Sequence, residues 1–327
     1  ADCGNRMNLV GSPLDREIID SLQKNRYHPT LKRTLPDNIK AFQIEDIGQA
    51  LQGADLIISG VSSFGVDWFA DEILPILPFR TPVLSVTKGL NVDSDGYLIH
   101  FLQIFQQERP DLPYAAIGGP CTSYELADKR HSMVYYCAED LRVAEFAKSL
   151  LKTSYYHIIT TNDVASIEYY AAMKNAYAAG VALAIGMAEK ENEDKGDINA
   201  NLHYNPQAAL FAQSCTEMRK IAKSLGADPD LAAGLPAAGD LFVTIFGGRT
   251  RRLGTLLGRG KTYTQAKEIL EGITLEATAI IKVLAASLKI RAQKNEVNLK
   301  EFPLIMHLDA LLKGCKKSKL NWESFGK

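Results

Sequence analysis

Cysteine and histidine are scarce and scattered in this chain of 327 residues. The five cysteines, Cys3, Cys121, Cys137, Cys215 and Cys315, are odd in number and follow no spacing. They set up no disulfide framework, and reduced thiols in a cytoplasmic setting are expected. The six histidines show no zinc-type spacing, so no metal site is expected. An excess of charge of one sign is lacking too: 37 Lys and Arg face 38 Asp and Glu. That balance gives neither nucleic acid nor an acidic membrane surface a reason to bind. Signal peptide, repeat and low-complexity tract are all missing. So is an initiator Met, since the sequence begins at Ala1. The length suits two domains with a sizeable core.

What is present is one long apolar run over residues 163–192. Between Tyr169 and Ala188 its single formal charge is Lys174. Asn162 or Asp163 can cap the start, and Glu189, Lys190 and Glu191 mark the exit to water. A run apolar all round predicts a buried helix. At helical spacing Lys174 is flanked by Tyr170, Ala171, Tyr177, Ala178 and Val181, none of them an acid. A buried ammonium without a partner is costly, so a chain that keeps one has a use for it. Two plainer readings compete. The run has the length of a membrane span, although its Ala, Gly and central Lys oppose that. Lys174 could also snorkel to water from a half-buried helix. The functional reading places it at the floor of a cleft, as acid or substrate anchor.

Before this run, strand and helix patterns alternate. Met7–Val10, 54–61, Pro82–Val86, Tyr114–Ile117, Met133–Cys137 and Tyr155–Ile159 read as strands. Leu14–Lys24, Glu45–Leu51, Val66–Leu74, Leu98–Gln107 and Leu141–Leu151 read as helices, with residues 25–43 as a connection. The alternation predicts a doubly wound, largely parallel sheet. After Asn162 helices alone are expected: one from Asn205 to the stop at Gly226, then Thr264–Glu271, Leu275–Lys289 and Pro303–Lys313. The fold class is therefore α/β, a partial Rossmann-type sheet followed by an all-α C-terminal domain, with domains at 1–161 and 162–327. Residues 189–204 read as a solvated loop, and the lysines at 313, 316, 317 and 319 as a solvated terminus.

A dinucleotide-binding sheet normally opens strand, G-x-G-x-x-G, helix. No such pattern exists in the chain. Ala1–Gly4 resembles the tail of a helix in front of strand Met7–Val10, so a first strand and glycine loop of about 20–30 residues are expected upstream. Gly258-Arg259-Gly260-Lys261-Thr262 tempts a phosphate-loop reading, but the earlier glycine would fall at Thr255 and no strand precedes it.

Three strand ends are marked by glycine: Ser62-Ser63-Phe64-Gly65, Lys88-Gly89 and Gly119-Pro120-Cys121. In open parallel sheets ligands bind beyond the carboxyl ends of the strands. Further on, Gly239-Asp240-Leu241 precedes Thr244, and Gly247-Gly248 precedes Arg249-Thr250-Arg251-Arg252. An Asp in an apolar segment needs partners, and Lys174 is a candidate. An arginine after paired glycines can grip a phosphate, or can simply be solvated.

In their order and spacing, Lys88-Gly89, Gly119-Pro120, Lys174-Asn175, Gly239-Asp240-Leu241 and Arg249-Thr250-Arg251-Arg252 resemble the NAD(P)-dependent glycerol-3-phosphate dehydrogenase family. The resemblance runs from about residue 1 to about residue 285. It implies Lys174 as the catalytic acid and base at the substrate's secondary oxygen, with Asn175 beside it. It implies Lys88, Gly119, Cys121, Asp240, Thr244, Arg249 and Thr250 around the substrate. Lys88, Ser123, Arg249 and Glu276 are implied toward the cofactor, NAD or NADP. A small phosphorylated substrate is the implied partner, and a homodimer is compatible with it. The chain departs from the family at Cys121 (commonly Ser or Thr), Thr250 (commonly Asn) and Ser123 (commonly Ala). It also lacks the glycine loop. A related lysine-using hydroxy-acid dehydrogenase and an inactive dehydrogenase-like binding module remain as alternatives.

Overall fold

The structure, a computed structural model, describes residues 1–196, 202–314 and 319–326. In chain order the elements are β1 (Met7–Val10), α1 (Arg16–Asn25), β2 (Tyr27–His28), β3 (Arg33–Thr34), β4 (Ile39–Phe42), α2 (Ile47–Ala50), β5 (Ile57–Ser59), α3 (Val66–Trp68), β6 (Val83–Ser85), β7 (Leu90–Val92), β8 (Leu98–His100), α4 (Phe101–Glu108), β9 (Tyr114–Gly118), α5 (Ser123–Ala127), β10 (Ser132–Cys137), α6 (Leu141–Leu151) and β11 (Tyr156–Thr161). Helices α7 (Val164–Asp194), α8 (Tyr204–Ser224), α9 (Asp240–Ile245), α10 (Gly248–Gly258), α11 (Tyr263–Ile269), α12 (Glu276–Gln293) and α13 (Pro303–Leu312) follow. The chain divides into two compact units.

The first unit comprises Ala1–Thr87, Leu102–Ile117 and Cys121–Val164. Its sheet has the order β11-β10-β9-β6-β5. The pairs β5–β6, β6–β9 and β10–β11 are parallel. Val83, Leu84, Ala115 and Val134 on these strands are fully buried, as expected when helices cover both faces of a parallel sheet. β1 and β4 form a separate parallel pair, in register from Met7 with Ile39 to Val10 with Phe42. β4 lies in the segment expected as a plain connection, which is thereby corrected. The helix expected over Val66–Leu74 is also corrected. After α3 it widens into a π-helical stretch, Phe69–Ile73, and closes as a 3₁₀ turn, Leu74–Ile76, with a proline at its start. Pro75 lacks the N–H that a continuing helix needs.

The second unit comprises Lys88–Phe101, Gly118–Pro120 and Ala165–Lys327. Its axis is α7, 31 residues long. Tyr170, Met173, Tyr177, Val181 and Leu183 on it are wholly buried, because it is apolar all round and the later helices surround it. α7 meets α10 without intervening side chains. A Cβ on Gly254 would lie 2.3 Å from the Ala179 carbonyl oxygen, and one on Gly186 would lie 2.0 Å from that of Thr255. Only glycine permits such backbone contact. At the far side Glu217 is fully buried. Its carboxylate accepts from Tyr177 Oη (3.1 Å), Gln213 Nε2 (2.8 Å) and the first free N–H groups of α13, Leu304 and Ile305. It thus satisfies a buried helix start that would otherwise be orphaned.

Two expectations about this unit are corrected. Leu98–Gln107 begins as a strand, β8, paired antiparallel with β7. Residues 189–194 continue α7 rather than opening a loop; positions 197–201 of that expected loop lie outside the described residues. Lys313 is more than half exposed and pairs with Asp309 at 2.9 Å, Lys319 is exposed, and residues 316 and 317 lie outside the described residues. Among the described residues, no single helix is long and apolar enough to cross a membrane.

Candidate active site

The second unit brings together most of the residues that the sequence singles out. Lys174 sits near the middle of α7 and is 8% exposed. Its Nζ donates to Asp240 Oδ1 and to Thr244 Oγ1, each at 2.9 Å. Asp240 and Thr244 lie one turn apart on α9, so both face Lys174. The Thr244 hydroxyl donates to the Asp240 main-chain carbonyl (2.7 Å). Its proton is thereby engaged, and its lone pair is left to accept from the lysine. The other Asp240 oxygen, Oδ2, accepts from Lys88 Nζ at 2.5 Å, and Lys88 also reaches the Gly119 carbonyl at 3.3 Å. One buried carboxylate therefore holds two ammonium groups.

Local sequence explains how each part is aimed. Lys88 comes three residues after the end of β6. Gly119 has φ +126, a backbone that L side chains avoid. A Cβ on its neighbour Gly118 would come within 2.4 Å of Ile167 Cγ2. This pair of glycines lets the Gly118–Pro120 segment lie against the first turns of α7. Asn175, next to Lys174, is 7% exposed.

The electrostatics follow from burial and from this pairing. Burial and then the Lys88 charge pull the Lys174 pKa down to about 8, against Asp240 and Glu276, which favour its ammonium form. Burial alone would raise Asp240, but the two lysines outweigh it and hold its carboxyl below the usual range. Asp240 is thus ionised, and Lys174 is poised close to neutral pH, where an acid and base catalyst works best.

Arg249 and Thr250 occupy the first turn of α10. The turn is entered through Gly247, which is extended, and Gly248, at φ +81. Arg249 is half exposed, with Nη2 3.8 Å from Glu276 Oε2 at the start of α12. Free N–H groups at a helix start together with a guanidinium favour an anion. Arg251 instead folds back to the Phe246 carbonyl at 2.7 Å. Cys121 and Ser123 belong to the first unit. There Cys121 is half-buried against the cluster containing Val134 and Tyr136, and Ser123 begins α5. Sequence reasoning passed over Glu217 and Glu168, although each is an acid at a core position of an apolar helix face, which was the available signal.

The N-terminal family model of NAD-dependent glycerol-3-phosphate dehydrogenase matches residues 6–144, and its C-terminal model matches 163–321. The chain is 30% identical over 272 residues to the NADP(+)-dependent glycerol-3-phosphate dehydrogenase of Archaeoglobus fulgidus, covering 83% of this chain and 78% of that one. It is 29% identical over 271 residues to the glycerol-3-phosphate dehydrogenase [NAD(P)+] of Bacillus pumilus, covering 79% and 73%. Among solved structures, glycerol-3-phosphate dehydrogenase from Coxiella burnetii has the same fold, with a TM-score of 0.77 at 20% identity over 95% of both chains. A parallel sheet joined to a helical unit, with these relatives, defines an NAD(P)-dependent oxidoreductase acting on CH–OH groups. The chain belongs to the NAD-dependent glycerol-3-phosphate dehydrogenase family.

Proposed function

We propose that this chain interconverts dihydroxyacetone phosphate and sn-glycerol 3-phosphate, with Lys174 as the acid and base. The observation that carries the reading is the Asp240 carboxylate shared by Lys174 and Lys88, with Thr244 orienting Lys174. When bound, NAD(P) supplies or accepts the hydride at the carbon. Lys174 polarises the substrate's secondary oxygen and gives it a proton in one direction, and takes that proton back in the other. Asp240 keeps both ammonium groups in place without competing for the proton. Lys88 adds positive charge beside the developing alkoxide, and burial makes that charge count for more than it would in water. The first turn of α10 with Arg249 holds the phosphate.

The residues fit one end of the cofactor. Lys88 and Arg249 would meet the cofactor where it borders the substrate, Glu276, 3.8 Å from Arg249, would lie toward its ribose, and Gly119, at positive φ, leaves room for close approach. A G-x-G-x-x-G cradle for the pyrophosphate is not in this sequence, so no role is assigned to a residue there.

The test is steady-state kinetics of parent and Arg249→Ala on dihydroxyacetone phosphate and on unphosphorylated dihydroxyacetone. Removing the arginine should cost roughly 2–5 kcal/mol in kcat/KM on the phosphorylated ketone, as for one side of a desolvated charge pair. The unphosphorylated ketone should be almost unaffected. Equal losses on both, or a parent that prefers a carboxylate-bearing keto acid, would replace this reading with a hydroxy-acid dehydrogenase.

A further inference from the structure

Glu168 lies on α7 six residues before Lys174, roughly 9 Å along the helix axis at the usual rise per residue. It is 2% exposed, and neither oxygen of its carboxyl has a hydrogen-bond partner. Its turn of the helix is fixed in place, because Ile167 and Ala171 fill the space beside Gly118, at 2.4 and 3.6 Å from where a Cβ would be. The same Gly118–Pro120 segment supplies the Gly119 carbonyl that accepts from Lys88.

A buried carboxyl without partners is costly, and an apolar side chain of similar size would pack as well. Its retention calls for an explanation other than packing. The charged group whose field reaches it is Lys88. Lys88 is tied through Asp240 to Lys174. Burial pushes the Glu168 carboxyl up to about 8, with Lys88 pulling the other way, so the group is neutral at neutral pH. Two ammonium groups and one carboxylate then leave the cluster with one surplus positive charge. Ionised Glu168 would cancel that surplus and compete with Asp240 for Lys88.

We infer that Glu168 is a positioning residue that acts as a neutral acid: it leaves Lys88 on Asp240 and keeps the surplus positive charge of the cluster for an anionic substrate. This rests on the substrate reading given above. Its mark is on binding of the phosphorylated substrate rather than on proton transfer at Lys174.

The experiment compares the full chain with Glu168→Gln, which copies the shape of the neutral acid but cannot ionise. Binding of sn-glycerol 3-phosphate is followed calorimetrically from pH 6.5 to 9.5. Lys174 titrates in both proteins, so the informative quantity is the ratio of the two dissociation constants. The ratio should be near one at the acid end. It should grow to roughly tenfold at the alkaline end, with the parent weaker, as expected for a coupling worth one pKa unit. A ratio that does not change with pH, while both proteins bind, overturns this inference alone. A parent that binds at no pH overturns the substrate reading instead. Thermal unfolding then tests Glu168 by itself. Unfolded, the acid ionises near 4.5; folded, near 8. Its contribution to stability is full below the first value and is lost as pH rises to the second. The melting temperature of Glu168→Gln relative to parent should therefore climb between those values and level off above them. A flat difference would refute the buried neutral acid whatever the substrate proves to be.

Discussion

At the scale of single residues, the proposed reaction turns on where one proton sits. Lys174 is drawn down to about 8 by burial and by Lys88, so it changes charge within the working range. In the proposed reaction, reduction would use the Lys174 ammonium and oxidation its free amine. The reductive kcat should fall as pH rises through about 8, and the oxidative kcat should rise through the same value. Lys174→Met should abolish both limbs and lower turnover by about 10²–10⁴-fold, the usual worth of a positioned acid and base. Folding should survive, because Asp240 keeps Lys88 as a partner and Met retains the apolar stem. Melting curves and pH profiles of both directions check this. A variant retaining more than about a tenth of parent kcat would remove Lys174 from the acid's role.

At the scale of elements, the proposed proton donor and the proposed phosphate grip lie on two helices, α7 and α10, that meet at a glycine seam, and that seam is expected to set the distance between them. Lys174 is on one helix and Arg249 begins the other. Gly254→Ala would put a methyl group 2.3 Å from the Ala179 carbonyl oxygen, so α10 must shift outward. Such overpacking typically costs about 1–3 kcal/mol in stability. KM for the phosphorylated substrate should rise more than kcat falls, since Arg249 moves with α10 while Lys174 keeps its partners on α9. A variant with parent KM would show that the seam does not set this distance. Much of this was legible in the sequence. A lone lysine in an apolar run and a lone aspartate in another are costly apart, and they do pair. The hairpin was not legible. Leu98 and His100 are buried in β8, yet Leu98–Gln107 satisfies a helical period. The overlooked signal was the turn before it, where Asp93 Oδ1 accepts from the N–H groups of Asp95 and Tyr97 and Gly96 takes φ +91. β4 was missed for a similar reason, since four residues carry too little pattern to stand out. Glu168 was legible as an acid in an apolar helix, but the lack of a hydrogen-bond partner for its carboxyl follows from tertiary packing that the helix's own sequence does not show.

At the scale of the whole molecule, sequence and structure divide the chain differently. The two family models meet between residues 144 and 163, as if one cut separated two modules. The compact units instead comprise six segments, three each, so the chain passes between them five times. Lys88 and the β7–β8 hairpin, encoded in the first half, belong to the second unit. There Ser287 Oγ donates to the Gly96 carbonyl (2.5 Å), and Tyr169 Oη donates to that of Leu98 (3.1 Å). The helical half is thus not a transplantable part. A fragment of residues 165–327 would leave Asp240 with one cation, leave Ser287 without its acceptor and open the face of α12 that the hairpin covers. It should keep its far-UV circular dichroism, lose its near-UV signal and bind a hydrophobic dye, as loosely packed helical states do. A sharp, cooperative melt of the fragment would show otherwise. Gene fusions, domain exchanges and split reporters made at the apparent sequence boundary would accordingly part Lys88 from the helix that carries its partner Asp240.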